Sequence, residues 1–121
     1  MASILIVEDD EGMLKSIQRA LIFEGHTIIG AENGLVALHL LKKTSVDLVI
    51  TDIFMPHMDG IETITEIKSL YPEIKIITIS GGGSVDGVDY LDLAAMMGAD
   101  CTFLKPFDQK DLLSAVAELL S

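Results

Sequence analysis

The sequence places acidic, hydroxyl and amine side chains directly after short apolar runs. The four polar ends are Glu8-Asp9-Asp10, Thr51-Asp52, Ser80 and Lys105-Pro106. Carboxylates grouped with a backbone carbonyl form an all-oxygen ligand set, which suits a hard ion such as Mg²⁺ or Mn²⁺ that keeps several waters. Acidic residues at strand ends are also common as single solvated groups. The hydroxyl and the lysine at two further run ends favour a functional cation site over that interpretation.

Five apolar runs alternate along the chain with longer segments of helical periodicity. The runs cover residues 4–7, 27–29, 48–50, 76–79 and 102–104. Strands that are apolar throughout are buried on both faces of a sheet, and alternation with helices indicates parallel strands joined by right-handed crossovers. Gly25 is expected to end the first helix, and Asp108 is placed to cap the last one. The pattern predicts an α/β fold with a five-stranded parallel sheet and helices on both faces.

The predicted sheet determines whether the polar run ends can meet. In an open parallel sheet, ligands bind at the carboxyl ends of the strands, beside the point where the strand order reverses. If the first and third strands are neighbours, as in the flavodoxin-like order 2-1-3-4-5, three or four carboxylates from their ends converge. Ser80 and Lys105 then border this cluster. Such a concentration of negative charge requires a cation.

Length and composition limit the classes of function. The chain has 121 residues, so residues 1–121 are predicted to form one domain, and no output domain is expected in this chain. Acidic residues outnumber basic ones by 19 to 8, for a net charge of −11. A surface this negative repels nucleic acid and anionic lipid, so direct binding to either is not expected. A single cysteine excludes an internal disulfide, and no signal peptide or membrane span is visible, so a cytoplasmic location is expected.

The motifs at the strand ends are specific as an ordered set. They are Ile-Leu-Ile-Val-Glu-Asp-Asp at residues 4–10, Asp-Leu-Val-Ile-Thr-Asp-Ile-Phe-Met-Pro at 47–56, Asp-Gly at 59–60, Ile-Ile-Thr-Ile-Ser at 76–80, Gly-Ala-Asp at 98–100 and Lys-Pro-Phe at 105–107. Over its whole length the chain resembles the receiver domain of two-component response regulators. The resemblance implies the flavodoxin-like (βα)5 fold and a role in phosphorelay signal transduction.

The resemblance also implies how the phosphoryl group is held. Asp52 is the phosphoacceptor, Ser80 supplies the hydroxyl that engages the phosphoryl group, and Lys105 supplies the ammonium that pairs with it. The donor is a phosphohistidine on a sensor histidine kinase or a phosphotransfer protein. The chemistry agrees with these roles, because a carboxylate can form an acyl phosphate and a nearby cation offsets the repulsion between the two anions.

The metal ligands follow from the same resemblance. Glu8, Asp9 and Asp52 hold Mg²⁺, or Mn²⁺ in its place, together with the backbone carbonyl of Phe54. The domain is then a phosphoprotein switch that catalyses only its own phosphorylation and dephosphorylation. A monomer or a phosphorylation-linked dimer is expected, and the sequence does not name the downstream partner.

The sequence departs from the family pattern at two places, and both concern the surface expected to pass the signal to a partner. Thr102 occupies the position three residues before the lysine, where the family usually carries an aromatic residue. Phe103 cannot replace it, because adjacent strand residues point to opposite faces. The interval between Ser80 and Lys105 is also longer than usual and holds the glycine-rich residues 81–87, which are expected to form a flexible loop.

Three alternatives have weaker support. A phosphohydrolase of the haloacid-dehalogenase type needs a second aspartate two residues after the nucleophile, and Phe54 stands there instead. A receiver-like adaptor that is never phosphorylated is neither favoured nor excluded by the sequence. Gly82 and Gly87 have the separation of a phosphate-binding P-loop, but Val88-Asp89 follows them in place of the required Lys-Ser or Lys-Thr pair.

Overall fold

The computed structural model describes residues 2–53, 60–81, 84–85 and 88–121. The elements in chain order are β1 (Ser3–Val7), α1 (Glu11–Phe23), β2 (Thr27–Ala31), α2 (Gly34–Lys43), β3 (Leu48–Asp52), α3 (Gly60–Leu70), β4 (Lys75–Ser80), β5 (Ser84–Val85), β6 (Val88–Asp89), α4 (Tyr90–Met97), β7 (Cys101–Leu104) and α5 (Gln109–Leu120). The expected metal ligand Phe54 lies outside the described residues.

Five of these strands form one parallel sheet in the order β2-β1-β3-β4-β7. Counted within this sheet alone, the order is 2-1-3-4-5, which confirms the predicted topology. The three central strands are buried almost throughout, as expected for strands covered on both faces. The strand order reverses between β1 and β3, so the carboxyl ends of these two strands border the crevice where ligands bind in such sheets.

Helices cover both faces of the sheet and divide the core into two clusters. One lies on the side of α2, α3 and α4 and includes Leu5, Val49, Ile64, Ile76 and Ala94. The other lies on the side of α1 and α5 and includes Ile4, Ile6, Ile17, Leu112 and Val116. Successive residues of each central strand contribute to opposite clusters, which is the period-two alternation of a pleated strand. Among the described residues, none of the helices combines the length and the hydropathy of a membrane span.

The helix ends follow the local sequence signals. Asp10 caps α1, because its side chain accepts hydrogen bonds from the backbone N–H groups of Gly12 and Met13. Gly25 follows α1 with a φ of +93°, a backbone conformation that glycine adopts without a steric penalty. Asp108 caps α5 by accepting from the N–H of Lys110. The predicted stop and the predicted cap are both confirmed.

The glycine-rich interval differs from its prediction. Ser84–Val85 and Val88–Asp89 pair as a short antiparallel ribbon, with Val85 opposite Val88. The prediction of a flexible loop over residues 81–87 was therefore wrong at Ser84–Val85, and the partner strand Val88–Asp89 lies just beyond that range. The physical reason is that the glycines dominate the composition of the segment, whereas the β-branched valines on either side of residues 86–87 favour extended backbone. Residues 82–83 and 86–87 lie outside the described part of the chain.

Candidate functional site: carboxylates and a lysine at the carboxyl edge of the sheet

Two neighbouring strands bring the acidic residues to one edge of the sheet. Val7 is the register partner of Thr51, so Glu8, directly after β1, and Asp52, the last residue of β3, lie side by side. The backbone N–H of Glu8 donates to the carbonyl of Ala31 at 3.0 Å, which extends the ladder between β1 and β2 by one residue. The predicted convergence of the first and third strand ends is present.

Glu8, Asp9 and Asp52 form an acidic group. Each offers one carboxylate oxygen, and these three oxygens all lie within 4.8 Å of one another. The side chains of Glu8 and Asp52 are buried and that of Asp9 is exposed. A set of carboxylate oxygens at this spacing, open to solvent on one side, fits a hard divalent ion that keeps part of its water shell. The group could hold a metal ion.

Lys105 reaches the same group from the last strand of the sheet. Its Nζ lies 2.7 Å from Oδ2 of Asp52 and 3.4 Å from Oε1 of Glu8. The backbone N–H of Lys105 donates to the carbonyl of Ser80 at 2.6 Å, which fixes the chain just beyond β7 against the end of β4. The lysine therefore bridges the two buried carboxylates from across the sheet.

Burial and charge act in opposite directions at these groups. Burial raises the pKa of Glu8 to about 7; the N–H of Asp10 and the charge of Lys105 work against the rise, and the negative charge of Asp52 adds to it. At Lys105, partial burial disfavours the charged ammonium form and so acts to lower its pKa. The hydrogen bond and the charge of Asp52, aided by Glu8, outweigh burial and raise the pKa of the lysine above its usual value. One cation shared by two buried carboxylates leaves excess negative charge.

Ser80 lies at the carboxyl end of the neighbouring strand, β4. It is the last residue of β4 and is completely buried. Its register partner is Leu104, directly before Lys105, so the hydroxyl-bearing and amine-bearing strand ends are adjacent. The structure thus places Glu8, Asp9, Asp52, Ser80 and Lys105 at the same edge of the sheet.

Asp10 does not join this group. The sequence allowed three or four converging carboxylates, but the side chain of Asp10 is exposed and caps α1. Its backbone N–H instead donates to Oε2 of Glu8 at 3.1 Å. The sequence carried a signal for this, since an aspartate directly before a segment of helical periodicity is a standard N-cap.

The orientation of β7 agrees with its sequence pattern. Phe103 packs in the cluster on the side of α1 and α5, and its ring centroid lies 5.9 Å from that of Phe107. Thr102 is adjacent in the same strand and therefore points to the opposite face. Phe103 thus does not occupy the place of the missing aromatic residue, as predicted.

A family match decides what this arrangement belongs to. The sequence matches the family described as response regulator receiver domain over residues 4–117. The chain is a member of this family. Receiver domains are signalling switches of two-component response regulators, and phosphorylation on an aspartate together with Mg²⁺ binding is general for them.

Similar proteins agree with the receiver assignment. The transcriptional regulatory protein GlrR of Escherichia coli K12 is 35% identical over 120 residues, which are 98% of this chain and 26% of that protein. The response regulator MprA of Mycobacterium sp. strain KMS is 34% identical over 118 residues, 97% of this chain and 50% of that protein. The receiver chain therefore spans only about a quarter to a half of these relatives.

A solved structure confirms the receiver fold. The crystal structure of a receiver domain protein, described as CheY-like, from Methanospirillum hungatei JF-1 superposes with a TM-score of 0.91. The two proteins are 31% identical, and the alignment covers 99% of this chain and 94% of the other.

Proposed function

We propose that Asp52 accepts a phosphoryl group from a phosphohistidine and that this modification switches the conformation of the receiver toward a downstream partner. The observation that carries the proposal is the 2.7 Å contact between Nζ of Lys105 and Oδ2 of Asp52. It joins a buried carboxylate to a cation at the carboxyl edge of the sheet, beside two further acidic residues. A carboxylate held in this way can act as a nucleophile toward phosphorus.

The proposed transfer is a nucleophilic displacement at phosphorus. One oxygen of Asp52 forms a bond to phosphorus while the bond from phosphorus to the imidazole nitrogen of the donor breaks, and that nitrogen keeps the electron pair. The product is an acyl phosphate on Asp52. Later attack by water on the same phosphorus releases inorganic phosphate and restores the carboxylate. On this proposal the receiver catalyses only its own phosphorylation and dephosphorylation.

The main obstacle is repulsion between the carboxylate and the incoming dianion. Lys105 lies next to the attacked carboxylate and stays charged, because its pKa is raised by Asp52. When the bond between Asp52 and phosphorus forms, this ammonium can pair with an oxygen of the phosphoryl group. Charge placed in advance where new charge develops lowers the barrier without reorganisation of solvent.

A divalent ion fits the acidic group. We assign Glu8, Asp9 and Asp52 as its ligands, with the backbone carbonyl of Phe54 as a further ligand by family resemblance. When bound, Mg²⁺ supplies positive charge against the developing negative charge on the phosphoryl oxygens. The feature that supports this assignment is that carboxylate oxygens of all three residues lie within 4.8 Å of one another, with the Glu8 and Asp52 side chains buried.

Ser80 is proposed as the group that reports the modification. Its hydroxyl ends β4 next to the strand end that carries Lys105. A hydroxyl can donate a hydrogen bond to a phosphoryl oxygen only when that oxygen is present, so Ser80 responds to the modified state. The proposed donor is a sensor histidine kinase or a phosphotransfer protein, in keeping with the family.

Incubation with a small acyl-phosphate donor tests the proposal. Intact-mass measurement should show one phosphoryl addition that requires Mg²⁺, and tandem mass spectrometry should place it on Asp52. Asp52→Asn should abolish the addition. Asp111→Asn, at an exposed position in the first turn of α5, should leave it unchanged.

The outcomes separate the alternatives. Addition that persists in Asp52→Asn contradicts the assignment of the phosphoacceptor. Turnover of a phosphomonoester, which is not an activated phosphoryl donor, indicates a hydrolase instead. A wild-type protein that takes up no phosphoryl group under any Mg²⁺ concentration is a receiver-like adaptor.

A further inference from the structure

The hydroxyl of Thr51 is bonded to the main chain of the proposed phosphoacceptor. Thr51 directly precedes Asp52 in β3 and is completely buried. Its Oγ1 donates a hydrogen bond to the carbonyl of Asp52 at 2.9 Å, and the bond is buried. A hydroxyl that is removed from water without a partner destabilises the fold, so a buried hydroxyl is kept where it has one. The partner here belongs to the residue whose side chain carries the proposed chemistry.

The side chain of Thr51 lies on the opposite face of the sheet from the acidic group. Val49 and Ile53, two residues before and after Thr51, belong to the core cluster on the side of α2, α3 and α4. Ile50, two residues before Asp52, belongs to the other cluster. Successive strand residues alternate between the two faces, so Thr51 and Asp52 point to opposite sides. Thr51 can therefore influence the carboxylate of Asp52 only through the main chain.

The peptide unit between Asp52 and Ile53 is held at both of its polar groups. The N–H of Ile53 donates to the carbonyl of Ile79 in β4 at 3.1 Å. The C=O and the N–H of a planar trans peptide point in opposite directions, so the carbonyl of Asp52 points away from β4. Oγ1 of Thr51 reaches the carbonyl on that side. This peptide unit is thus fixed from two sides.

The carbonyl of Asp52 lies beyond the ladder that joins β1 to β3. The two strands pair up to Val7 and Thr51, one residue before Asp52. A carbonyl at the end of a parallel strand has no neighbouring strand to supply its donor once the pairing stops. The hydroxyl of Thr51 takes the place of that donor at the point where β1 ends.

The orientation of this peptide unit affects where the carboxylate of Asp52 lies. The side chain leaves the main chain next to it, and Oδ2 must stay 2.7 Å from Nζ of Lys105. The carboxylate must also stay with those of Glu8 and Asp9, whose oxygens lie within 4.8 Å of it. Misplacement of a reacting group by about 1 Å can reduce a rate about a hundredfold. The same peptide unit begins the chain toward Phe54, whose backbone carbonyl is the further proposed metal ligand.

We propose that Thr51 is a positioning residue for phosphorylation, whose hydroxyl fixes the peptide unit after Asp52 and so holds the carboxylate beside Lys105 and the metal ligands. The inference rests on the proposed function, because it gives Thr51 a role in the same reaction. Thr51 contacts no reacting atom and contributes no charge. Removal of its hydroxyl leaves every charged group of the site present and loosens only their geometry.

Two substitutions separate the hydroxyl of Thr51 from its packing. Thr51→Val keeps the shape of the side chain and removes the hydroxyl, whereas Thr51→Ser keeps the hydroxyl and removes a methyl group. Thr51→Val should weaken Mg²⁺ binding about tenfold and slow phosphorylation by acetyl phosphate at saturating Mg²⁺ by a similar factor, the scale found when a group that orients a metal ligand is removed. Thr51→Ser should lower the thermal unfolding midpoint through the lost methyl group, while Mg²⁺ affinity and rate stay close to wild type. Mg²⁺ binding is followed by amide chemical shifts at one fixed pH.

Thr78→Val is the matched control. Thr78 of β4 is the register partner of Thr51 and is equally buried. Its Oγ1 has no hydrogen-bond partner among the described residues, so the same change removes a buried hydroxyl that is not bonded to Asp52. Mg²⁺ affinity and phosphorylation rate should equal those of the wild type, and the unfolding midpoint should not fall.

The outcomes separate a positioning role from a structural one. Wild-type Mg²⁺ affinity and rate in Thr51→Val overturn the inference, since the hydrogen bond then only stabilises the fold. Losses in Thr51→Ser or in Thr78→Val as large as those in Thr51→Val overturn it too, because packing of the sheet then explains them. These results leave the proposed function standing. A wild-type protein that takes up no phosphoryl group overturns the proposed function and the inference with it. Amide spectra without Mg²⁺ verify that every variant is folded.

Discussion

Among single residues, the buried carboxylate of Glu8 determines how the metal-free protein responds to pH. Its pKa is about 7 in the fold against an ordinary value of 4.5, so the folded state binds this proton more tightly than the unfolded chain does. The stability linked to Glu8 is full below pH 4.5 and is lost as the pH rises through 7. We expect the free energy of unfolding without metal to fall over this interval, by at most about 3 kcal/mol from this group.

Urea unfolding at several pH values measures this effect. Glu8→Gln should remove most of the fall, since the amide does not titrate. Glu118→Gln, at an exposed position of α5, should keep the wild-type profile. Equal slopes for the wild type and Glu8→Gln would show that other groups govern the pH dependence.

Lys105 matters more for the reaction than for the fold. The lysine side chain is 26% exposed, so water partly compensates the carboxylates when it is removed. It is also the one cation that contacts the acidic group among the described residues. We expect Lys105→Ala to remain folded, with a small change in unfolding midpoint, while the rate of phosphorylation by a small donor falls by about tenfold or more.

A matched lysine tests that distinction. Lys110→Ala, in the first turn of α5, removes the same charge at an exposed position outside the site. Its phosphorylation rate should equal that of the wild type. Loss of folding in Lys105→Ala, without a loss of rate in a stabilised background, would make the lysine structural.

At the level of secondary-structure elements, two adjacent aspartates at the start of α1 have different roles. Asp10 accepts hydrogen bonds from the N–H groups of Gly12 and Met13, whereas Asp9 belongs to the acidic group. Asp10→Ala should lower the free energy of unfolding by about 1 kcal/mol, and Asp10→Asn should restore most of it, because asparagine also caps helices. Chemical unfolding curves measure both, and a response of Mg²⁺ binding to Asp10→Asn would place Asp10 in the metal site after all.

The ribbon formed by β5 and β6 is the element expected to change its conformational stability on phosphorylation. Each strand has two residues, and an isolated ribbon of that size is only marginally stable. It follows Ser80 closely and leads directly into α4. We expect beryllofluoride to increase the hydrogen-exchange protection of residues 84–90.

Hydrogen exchange followed by mass spectrometry tests the ribbon. The peptide that covers β2, at the far edge of the sheet, serves as an internal reference. Protection confined to the surroundings of Asp52 and Lys105 would show that the ribbon is a passive connection.

Prediction from sequence worked where the signal is local or repeats regularly. The apolar runs predicted the five sheet strands, and Gly25 and Asp108 marked helix ends through their own backbone and side-chain chemistry. The ribbon was missed because two valines give a weak signal among many glycines. The lack of a hydrogen-bond partner for the buried Thr78 hydroxyl among the described residues could not be predicted either, since it depends on side-chain rotamers.

The site was predictable to the level of which residues meet. Residues that end apolar runs meet whenever the strands are parallel and adjacent, and family resemblance supplied the strand order. The division of labour between Asp9 and Asp10 was predictable in part, because an aspartate directly before a helical segment is a standard N-cap and the resemblance assigned Asp9 to the metal. The contact of Lys105 with both Glu8 and Asp52 was not predictable, because it requires the actual distances.

For the whole molecule, the acidic group couples metal binding to stability. A ligand that binds only the folded state stabilises it by about 1.4 kcal/mol when present at ten times its dissociation constant. Mg²⁺ should therefore raise the thermal unfolding midpoint at millimolar concentration, more at pH 8 than at pH 6, because Glu8 must release its proton to bind.

Thermal melts with and without Mg²⁺ give this shift. Asp9→Asn should reduce it strongly, since one charged ligand is lost, and Asp111→Asn should keep it. An equal shift in Asp9→Asn and the wild type would count against the acidic group as the binding site.

The contact of Lys105 with Glu8 spans 97 positions of the chain, and its contact with Asp52 spans 53. During synthesis the carboxylates leave the ribosome long before the lysine that balances them, since domains are made from the N-terminus onward. A nascent chain that has formed β1 and β3 holds adjacent acids but lacks their ammonium. Only when β7 completes the sheet does the site gain its cation. The ability to be phosphorylated is thus tied to a finished fold, and an incomplete receiver has no means of signalling.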